Sequence, residues 1–201
     1  RVAANHGIQA KPADLATAFQ SVWRKTPSAF SADSSVRDPN EKSWWRRLVQ
    51  SVFEEAGASL PGKEGFDHFF EDLYDHFETP GTWVAIPEAL EVVPLLAERF
   101  PCIVLSNFDA RLRRILRDLD LFEPFDSILL SCELGASKPD PAVFEAAREH
   151  FKLPAAEILH IGDDPTCDWK GATDAGFASF RVGEGESCLN QLFEQLSLAS
   201  S

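Results

Sequence analysis

The 201-residue sequence contains no methionine, and its first residue is Arg1. Because translation starts at methionine, we interpret the printed chain as the later part of a longer protein. The opening residues agree with this interpretation, since Val2 and Ala3 followed by Gly7 are typical of the end of a helix. We therefore expect an upstream segment that belongs to the same fold.

Positive charge is scarce in this sequence. Lysine and arginine together number 19 against 32 aspartates and glutamates, which gives a formal net charge of −13 and a pI of about 4.7. Surfaces that bind nucleic acids or anionic membranes need basic patches, so the composition argues against both kinds of partner. It does not exclude a small anionic substrate, because a metal ion and one or two local cations can override the global field.

Paired cysteine motifs and long apolar runs are also lacking. None of the four cysteines lies in a CxxC motif or at metal-ligand spacing; they are Cys102, Cys132, Cys167 and Cys188. We expect free thiols and a reducing, cytoplasmic compartment. No apolar run reaches membrane-spanning length and no signal peptide is visible, so a membrane location is not expected.

The pattern of the chain changes near residue 83. Residues 1–82 contain helical patterns rich in aromatic residues, which we expect to form a helix-bundle core. Residues 83–201 alternate short apolar strands with helices, as in βαβ units. We therefore predict an α/β fold with a helical domain over 1–82 and a parallel-sheet core over 83–201. One core helix carries four arginines that we expect to be solvated: Arg111, Arg113, Arg114 and Arg117.

Three carboxylates follow the apolar run that begins at Ile158. In an open parallel sheet, ligands bind at the carboxyl ends of the strands, and acids this close together repel one another unless a cation joins them. Mg2+ is the usual cation beside phosphate substrates, so Asp163 and Asp164 are candidate metal ligands and Asp168 supports them. Asp164 precedes Pro165, which is also the signature of a helix N-cap. A capped strand-to-helix connection without metal is the alternative interpretation.

Two further groups follow other predicted strands. Ser106 and Asn107 end the strand that begins near Cys102, and such side chains beside a helix N-terminus suit phosphate oxygens. Lys138 lies in the loop after the next strand, where its ammonium could neutralise a phosphate. A turn role for the first pair and a surface position for the lysine are the plainer alternatives. Their order favours the functional interpretation, because the ends of parallel strands converge on one cleft.

These motifs, in this order, resemble those of the haloacid dehalogenase-like (HAD) hydrolase superfamily, in the subgroup with a helical cap inserted early in the chain. Residues 105–109 resemble its second motif, with Ser106 binding phosphate. Residues 137–140 resemble the third, with Lys138, and residues 160–168 the fourth, with Asp163 as metal ligand. The resemblance implies a HAD-like Rossmannoid parallel-sheet core and a helical cap that closes over the site.

The first motif of that family has no counterpart in this sequence. It is an Asp-x-Asp or Asp-x-x-Gly-Thr after the first strand, and it supplies the nucleophilic aspartate. In the family this strand lies in the middle of the sheet, and a parallel sheet does not tolerate bared edges. We therefore expect the strand to lie upstream of Arg1, and we expect the printed chain alone to be inactive and to bind metal weakly.

For the intact protein the resemblance implies a Mg2+-dependent phosphatase that acts on a small phosphomonoester through an aspartyl-phosphate. Lys138 and Asp168 would be catalytic, Ser106 and Asn107 would bind the substrate, and the metal would be held with Asp163 and Asp164. Two alternatives stay open. One is a 2-haloacid dehalogenase, which attacks carbon and needs no metal, and the other is a non-catalytic binding protein on the same scaffold.

Overall fold

The structure is a computed structural model that describes residues 1–27, 29, 41–183 and 188–198. The chain divides into two compact units, Arg1–Thr82 and Trp83–Ser201. Within the described residues, none of the helices is long and apolar enough to cross a membrane. The four cysteines are free, as predicted, and each of them is half-buried.

The first unit is helical. Its elements are α1 (Val2–Asn5), α2 (Pro12–Lys25), α3 (Glu41–Glu55) and α4 (Lys63–His76). Pro12 occupies the first helical position of α2, where its missing N–H costs no helix hydrogen bond. Gly57 follows α3 with a φ of +74°, in the left-handed region that closes helices and favours glycine.

An aromatic cluster forms the core of this unit, and it comprises Ile8, Phe53, Phe66, Phe69 and Phe70. The rings of Phe53 and Phe69 meet edge-to-face at 5.1 Å between centroids, an arrangement that aromatic quadrupoles favour. The predicted aromatic bundle core is confirmed for the four phenylalanines. It is wrong for Phe19 and Trp23, which are each 43% exposed and stack on one another.

The second unit alternates helices and strands. Its elements are α5 (Pro87–Ala97), β1 (Ile103–Ser106), α6 (Leu112–Asp118), β2 (Ser127–Leu130), α7 (Ser131–Leu134), α8 (Pro141–Phe151), β3 (Leu159–Gly162), α9 (Gly171–Asp174), β4 (Ala178–Arg181) and α10 (Leu189–Leu198). A 3-10 turn covers Ala155–Glu157, and a π-helical segment, Pro165–Lys170, leads from β3 into α9. α5 continues through Pro94.

The strands form two parallel pairs. β1 pairs with β2 from Ile103 opposite Ser127 to Ser106 opposite Leu130. β3 pairs with β4 from Leu159 opposite Ala178 to Gly162 opposite Arg181. Among the described residues the two pairs are separate ladders.

Helices cover both faces of the strands. Ile103 and Leu105 of β1 pack with Phe144 of α8 and Ala172 of α9, whereas the intervening Val104 packs with Leu116 of α6. Successive strand side chains point to opposite faces, so this alternation defines three layers. The predicted α/β core is confirmed.

A cavity of about 380 Å³ lies between the two strand pairs. Three consecutive residues of β1, 103–105, and three of β3, 159–161, line it. A cavity that lay against one face of a strand would be lined only by alternate residues, because successive side chains point to opposite faces. This cavity therefore runs along the facing edges of β1 and β3.

Candidate functional site

Several polar side chains follow the carboxyl ends of the strands. Ser106 ends β1 and Asn107 follows it, while Asp163 and Asp164 follow the end of β3. Lys138 lies between α7 and α8 in the loop after β2. Because the strands of a parallel pair end at the same edge of the sheet, side chains that follow these strand ends come close to one another.

The ammonium of Lys138 is held by a buried carboxylate. Lys138 Nζ lies 2.6 Å from Asp168 Oδ1, and the two side chains are only 11% and 7% exposed. A charge-assisted hydrogen bond of this kind is shorter and stronger than a neutral one. An ammonium has three donors, and within the part of the chain that the structure describes the other two have no partner.

Asn107 fixes the main chain of the same lysine. Its Nδ2 donates to the Lys138 carbonyl oxygen at 2.8 Å, and its Oδ1 accepts from the Lys138 N–H at 2.7 Å. The Lys138–Pro139 peptide bond in this loop is cis. Both polar ends of the Asn107 amide thus bind the loop, so its predicted role as a substrate ligand stays a prediction while its positioning of Lys138 is visible.

The Asp168 carboxylate accepts hydrogen bonds from three residues. Its Oδ1 also accepts from His160 Nε2 at 2.9 Å, and its Oδ2 accepts from the Asp164 N–H at 3.0 Å. Burial by itself would raise the pKa of this carboxyl group, but the bond from His160 and the charge and bond of Lys138 outweigh it. The pKa of Asp168 therefore lies well below its ordinary range.

Asp164 is the N-cap of the π-helical segment. Its side chain accepts from Thr166 N–H at 2.8 Å and from Cys167 N–H at 2.6 Å, so the predicted cap is confirmed. Its candidate role as a metal ligand stays a prediction. The neighbouring Asp163 is exposed and Ser106 is half-buried.

The magnesium prediction requires more ligands than these residues supply. Across residues 1–27, 29, 41–183 and 188–198, no group of three or more His, Cys, Asp or Glu side chains is placed to hold a metal ion. Asp164 uses one carboxylate oxygen, Oδ1, in the cap, and Asp168 uses both of its oxygens on the donors described above. The described residues therefore do not by themselves fit a magnesium site.

Sequence reasoning missed two features of this region. His160 is buried with 9% exposure, and only its place among the apolar residues of a strand could have marked it. Arg111 is also 9% exposed and binds Asp109 through its Nε at 2.8 Å. The expectation of four solvated arginines is therefore wrong for Arg111, because helical periodicity does not reveal a pairing with the preceding turn.

Cys167 lies within this region without acting as a nucleophile. Its Sγ is 3.9 Å from Asn107 Nδ2. Burial, followed by the negative charge of Asp164, raises the pKa of the thiol to about 11. The thiolate is the reactive form of cysteine, so this side chain stays protonated and unreactive near neutral pH.

The family model for haloacid dehalogenase-like hydrolases matches residues 4–176. The chain belongs to this family. It is 31% identical over 182 residues to haloacid dehalogenase-like hydrolase domain-containing protein 3 of Mus musculus, covering 90% of this chain and 72% of the relative. It is 33% identical over 134 residues to the Escherichia coli 5-amino-6-(5-phospho-D-ribitylamino)uracil phosphatase YigB, covering 66% of this chain and 53% of that protein.

Solved structures share the fold. A 2-haloacid dehalogenase from Pseudomonas syringae superposes with a TM-score of 0.60 at 25% identity, over 94% of this chain and 82% of that one. YfnB from Bacillus subtilis, solved with bound magnesium, gives a TM-score of 0.61 at 21% identity, over 90% and 77%. The predicted fold class, an α/β HAD fold with a helical cap, is confirmed.

Proposed function

We propose that the intact protein is a Mg2+-dependent phosphatase that hydrolyses a small phosphomonoester through an aspartyl-phosphate. The coarser statement, that the chain is a HAD-family hydrolase, rests on the family match. The observation that carries the finer proposal is the Lys138 ammonium. It is fixed on Asp168 at 2.6 Å, and as far as the described residues go, two of its donors remain for an anionic group.

The nucleophile of this proposal is an aspartate outside the described residues. The cavity between β1 and β3 supports its placement, because both strand edges line it and a parallel strand there would end beside Ser106 and Asp163. An aspartate at that end forms a bond to phosphorus as the bond to the leaving oxygen breaks, and the leaving oxygen takes a proton from water. Water then hydrolyses the acyl phosphate and regenerates the aspartate.

The described residues have binding and electrostatic roles in this proposal. Lys138 offsets negative charge on the phosphoryl oxygens in the transition state. The Ser106 hydroxyl donates to one of those oxygens, and Asp168 holds the ammonium in place. Mg2+ would add charge stabilisation, with Asp163 as one of its ligands and at least one further ligand from outside the described residues.

Substitution of Lys138 tests this role. In protein expressed from the complete coding sequence, Lys138→Ala should lower kcat for p-nitrophenyl phosphate by about 10²–10³-fold, the usual cost of removing one transition-state donor. Lys170→Ala is the matched control, because Lys170 is an exposed lysine paired with Asp174. Equal rates for the two variants would contradict the proposal.

A metal series tests the cofactor separately. Hydrolysis by the same protein should stop with a chelator and return with Mg2+, and Asp163→Asn should raise the Mg2+ concentration needed for half-maximal rate. Asp174→Asn, an exposed acid, should leave it unchanged. Full activity in the presence of the chelator would rule out magnesium dependence.

A 2-haloacid dehalogenase is the second candidate, since the Pseudomonas syringae structure with that activity superposes on most of the chain. That reaction displaces halide from carbon and needs no metal. Chloride release from 2-chloropropionate in the presence of chelator, without phosphatase activity, would replace the first proposal by the second.

A further inference from the structure

We propose that His160 is a positioning residue, whose Nε2–H holds the Asp168 carboxylate in the one orientation that fixes the Lys138 ammonium. The structural part of this inference concerns residues 138, 160, 164 and 168 alone. Its consequence for turnover rests on the proposed function.

The proton of this hydrogen bond can be assigned from its partners. Asp168 Oδ1 accepts from the Lys138 ammonium at 2.6 Å and its Oδ2 accepts from the Asp164 N–H at 3.0 Å, so the group is an ion-paired carboxylate, which only accepts. His160 Nε2, 2.9 Å from Asp168 Oδ1, must therefore carry the hydrogen.

The surroundings of His160 fix the direction of that donor. The ring meets Phe144 edge-to-face at 5.6 Å between centroids, and Phe144 in turn meets Phe177 at 5.7 Å. An apolar side chain would fill this place at lower desolvation cost, since buried polar groups are costly unless they are hydrogen-bonded. The imidazole is thus held by apolar packing, and its one polar contact within the described part of the chain is with Asp168.

The carboxylate needs this second donor on Oδ1. Rotation about the last torsion of an aspartate is broad, and Lys138 alone is a flexible side chain with an ammonium that rotates freely. His160 from β3 and the Asp164 N–H after β3 hold different oxygens of the same group. A Cβ on Gly162 would overlap the Asp168 carboxyl group, so the glycine leaves room for this single orientation.

The wild-type protein provides the first test. The ring nitrogens of His160 report the tautomer directly by ¹⁵N NMR at neutral pH, and we expect a protonated Nε2. An unprotonated Nε2 beside Asp168 would overturn the inference.

A set of variants separates positioning from packing. His160→Gln keeps an N–H donor at the reach of Nε2, whereas His160→Leu keeps the volume and removes the donor. The readout is hydrogen exchange of the Asp164 amide, whose acceptor is Asp168 Oδ2. We expect exchange about tenfold faster in the leucine variant, since a hydrogen bond to a charged group contributes on that scale, and close to wild type in the glutamine variant.

A packing role predicts the opposite order, because leucine suits an apolar pocket better than glutamine. Equal exchange in the two variants, or faster exchange in the glutamine variant, would overturn the proposal. Phe177→Leu is the packing control, since it disturbs the same aromatic cluster without touching Asp168, and it should leave the Asp164 amide unchanged. If His160→Leu fails to fold, His160→Asn replaces it, because its shorter amide cannot reach Asp168.

Turnover of the full-length protein distinguishes this inference from the proposed function. We expect His160→Leu to lower kcat for an aryl phosphate by about tenfold, because the variant loses one charge-assisted hydrogen bond. KM should change little, and His160→Gln should restore kcat. If no variant and no wild-type protein hydrolyses phosphate, while the tautomer and exchange results hold, then the proposed function fails and the positioning role stands. A KM effect without a kcat effect would contradict the role in turnover.

Discussion

Lys138 is the residue on which the site converges, because three elements determine its position. Asn107 after β1 binds its main chain, while Asp168 of the π-helical segment binds its ammonium. His160 of β3 acts on the lysine through Asp168. A lysine side chain normally has many rotamers, and this network leaves it few.

The buried carboxylate should be visible in the stability of the protein. Asp168→Asn removes the partner of a buried ammonium, so we expect the free energy of unfolding at pH 7 to fall by about 3–5 kcal/mol. Asp174→Asn, which breaks an exposed pair with Lys170, should cost less than about 1 kcal/mol. Urea unfolding of both variants measures the difference, and similar losses would contradict the assignment of Asp168 as a buried ion pair.

The same comparison has a predicted pH dependence. The folded state holds the pKa of Asp168 below its ordinary value of 3.8, so the unfolded chain binds the proton first as the pH falls. The advantage of wild type over Asp168→Asn should therefore be constant from pH 7 to about pH 5 and shrink below about pH 4. An advantage that grows on acidification would contradict the ionised carboxylate.

At the scale of the elements, the residues of the site lie where helices begin and where strands end. The predicted Asp-Pro start at Asp164 is the N-cap of the π-helical segment, and Asp140 caps α8 in the same way by accepting from Ala142 N–H at 2.9 Å. Such caps were predictable because one side chain and two following residues decide them. The strands and the loop of Lys138 are likewise determined by short stretches of neighbouring residues, so they could be predicted from the sequence.

The contacts between elements were less predictable. The expectation of an aromatic bundle core over residues 1–82 covered Phe19 and Trp23 of α2, but which face of a helix is buried depends on its neighbours. His160 could be placed on a strand, whereas its partner eight residues later depends on the π-helical segment that turns Asp168 back toward β3. The sequence pattern therefore predicts that His160 lies on a strand, but it does not predict which residue His160 contacts.

Asp164 allows the cap and metal roles to be separated at this scale. Asp164→Ala should lower stability by about 1 kcal/mol, whereas Asp164→Ser should retain most of it, because serine also caps helices. Thermal unfolding of the two variants checks this. In the full-length protein, Asp164→Ser tests the metal role as well: a normal Mg2+ requirement would limit Asp164 to capping, and a raised requirement would make it a ligand.

At the scale of the whole molecule, the second unit is a three-layer core, and among the residues that the structure describes no ladder joins β1 to β3. Each of these strands bonds its outer neighbour, and three consecutive residues of each line the cavity between them. In a parallel ladder, successive backbone groups point alternately to the two sides of a strand. Alternate amides of β1 and β3 therefore face the cavity.

Hydrogen exchange of the 201-residue chain should report this alternation. We expect alternate amides of β1 and β3 to exchange with water faster than their neighbours that bond to β2 and β4. The amide of Phe144, buried within α8, provides an internal reference for slow exchange. Uniform protection along all four residues of β1 would mean that its inner edge is covered.

A strand that entered this cavity would form more backbone hydrogen bonds than a strand added at the outer edge of the sheet. A strand that joins the rim of a sheet forms one ladder and leaves a new open edge behind it. A strand between β1 and β3 would form two ladders at once, and the helices on both faces would already cover its side chains. Such an insertion would leave no open strand edge between β1 and β3, so this cavity has room for one strand and not for a series of them.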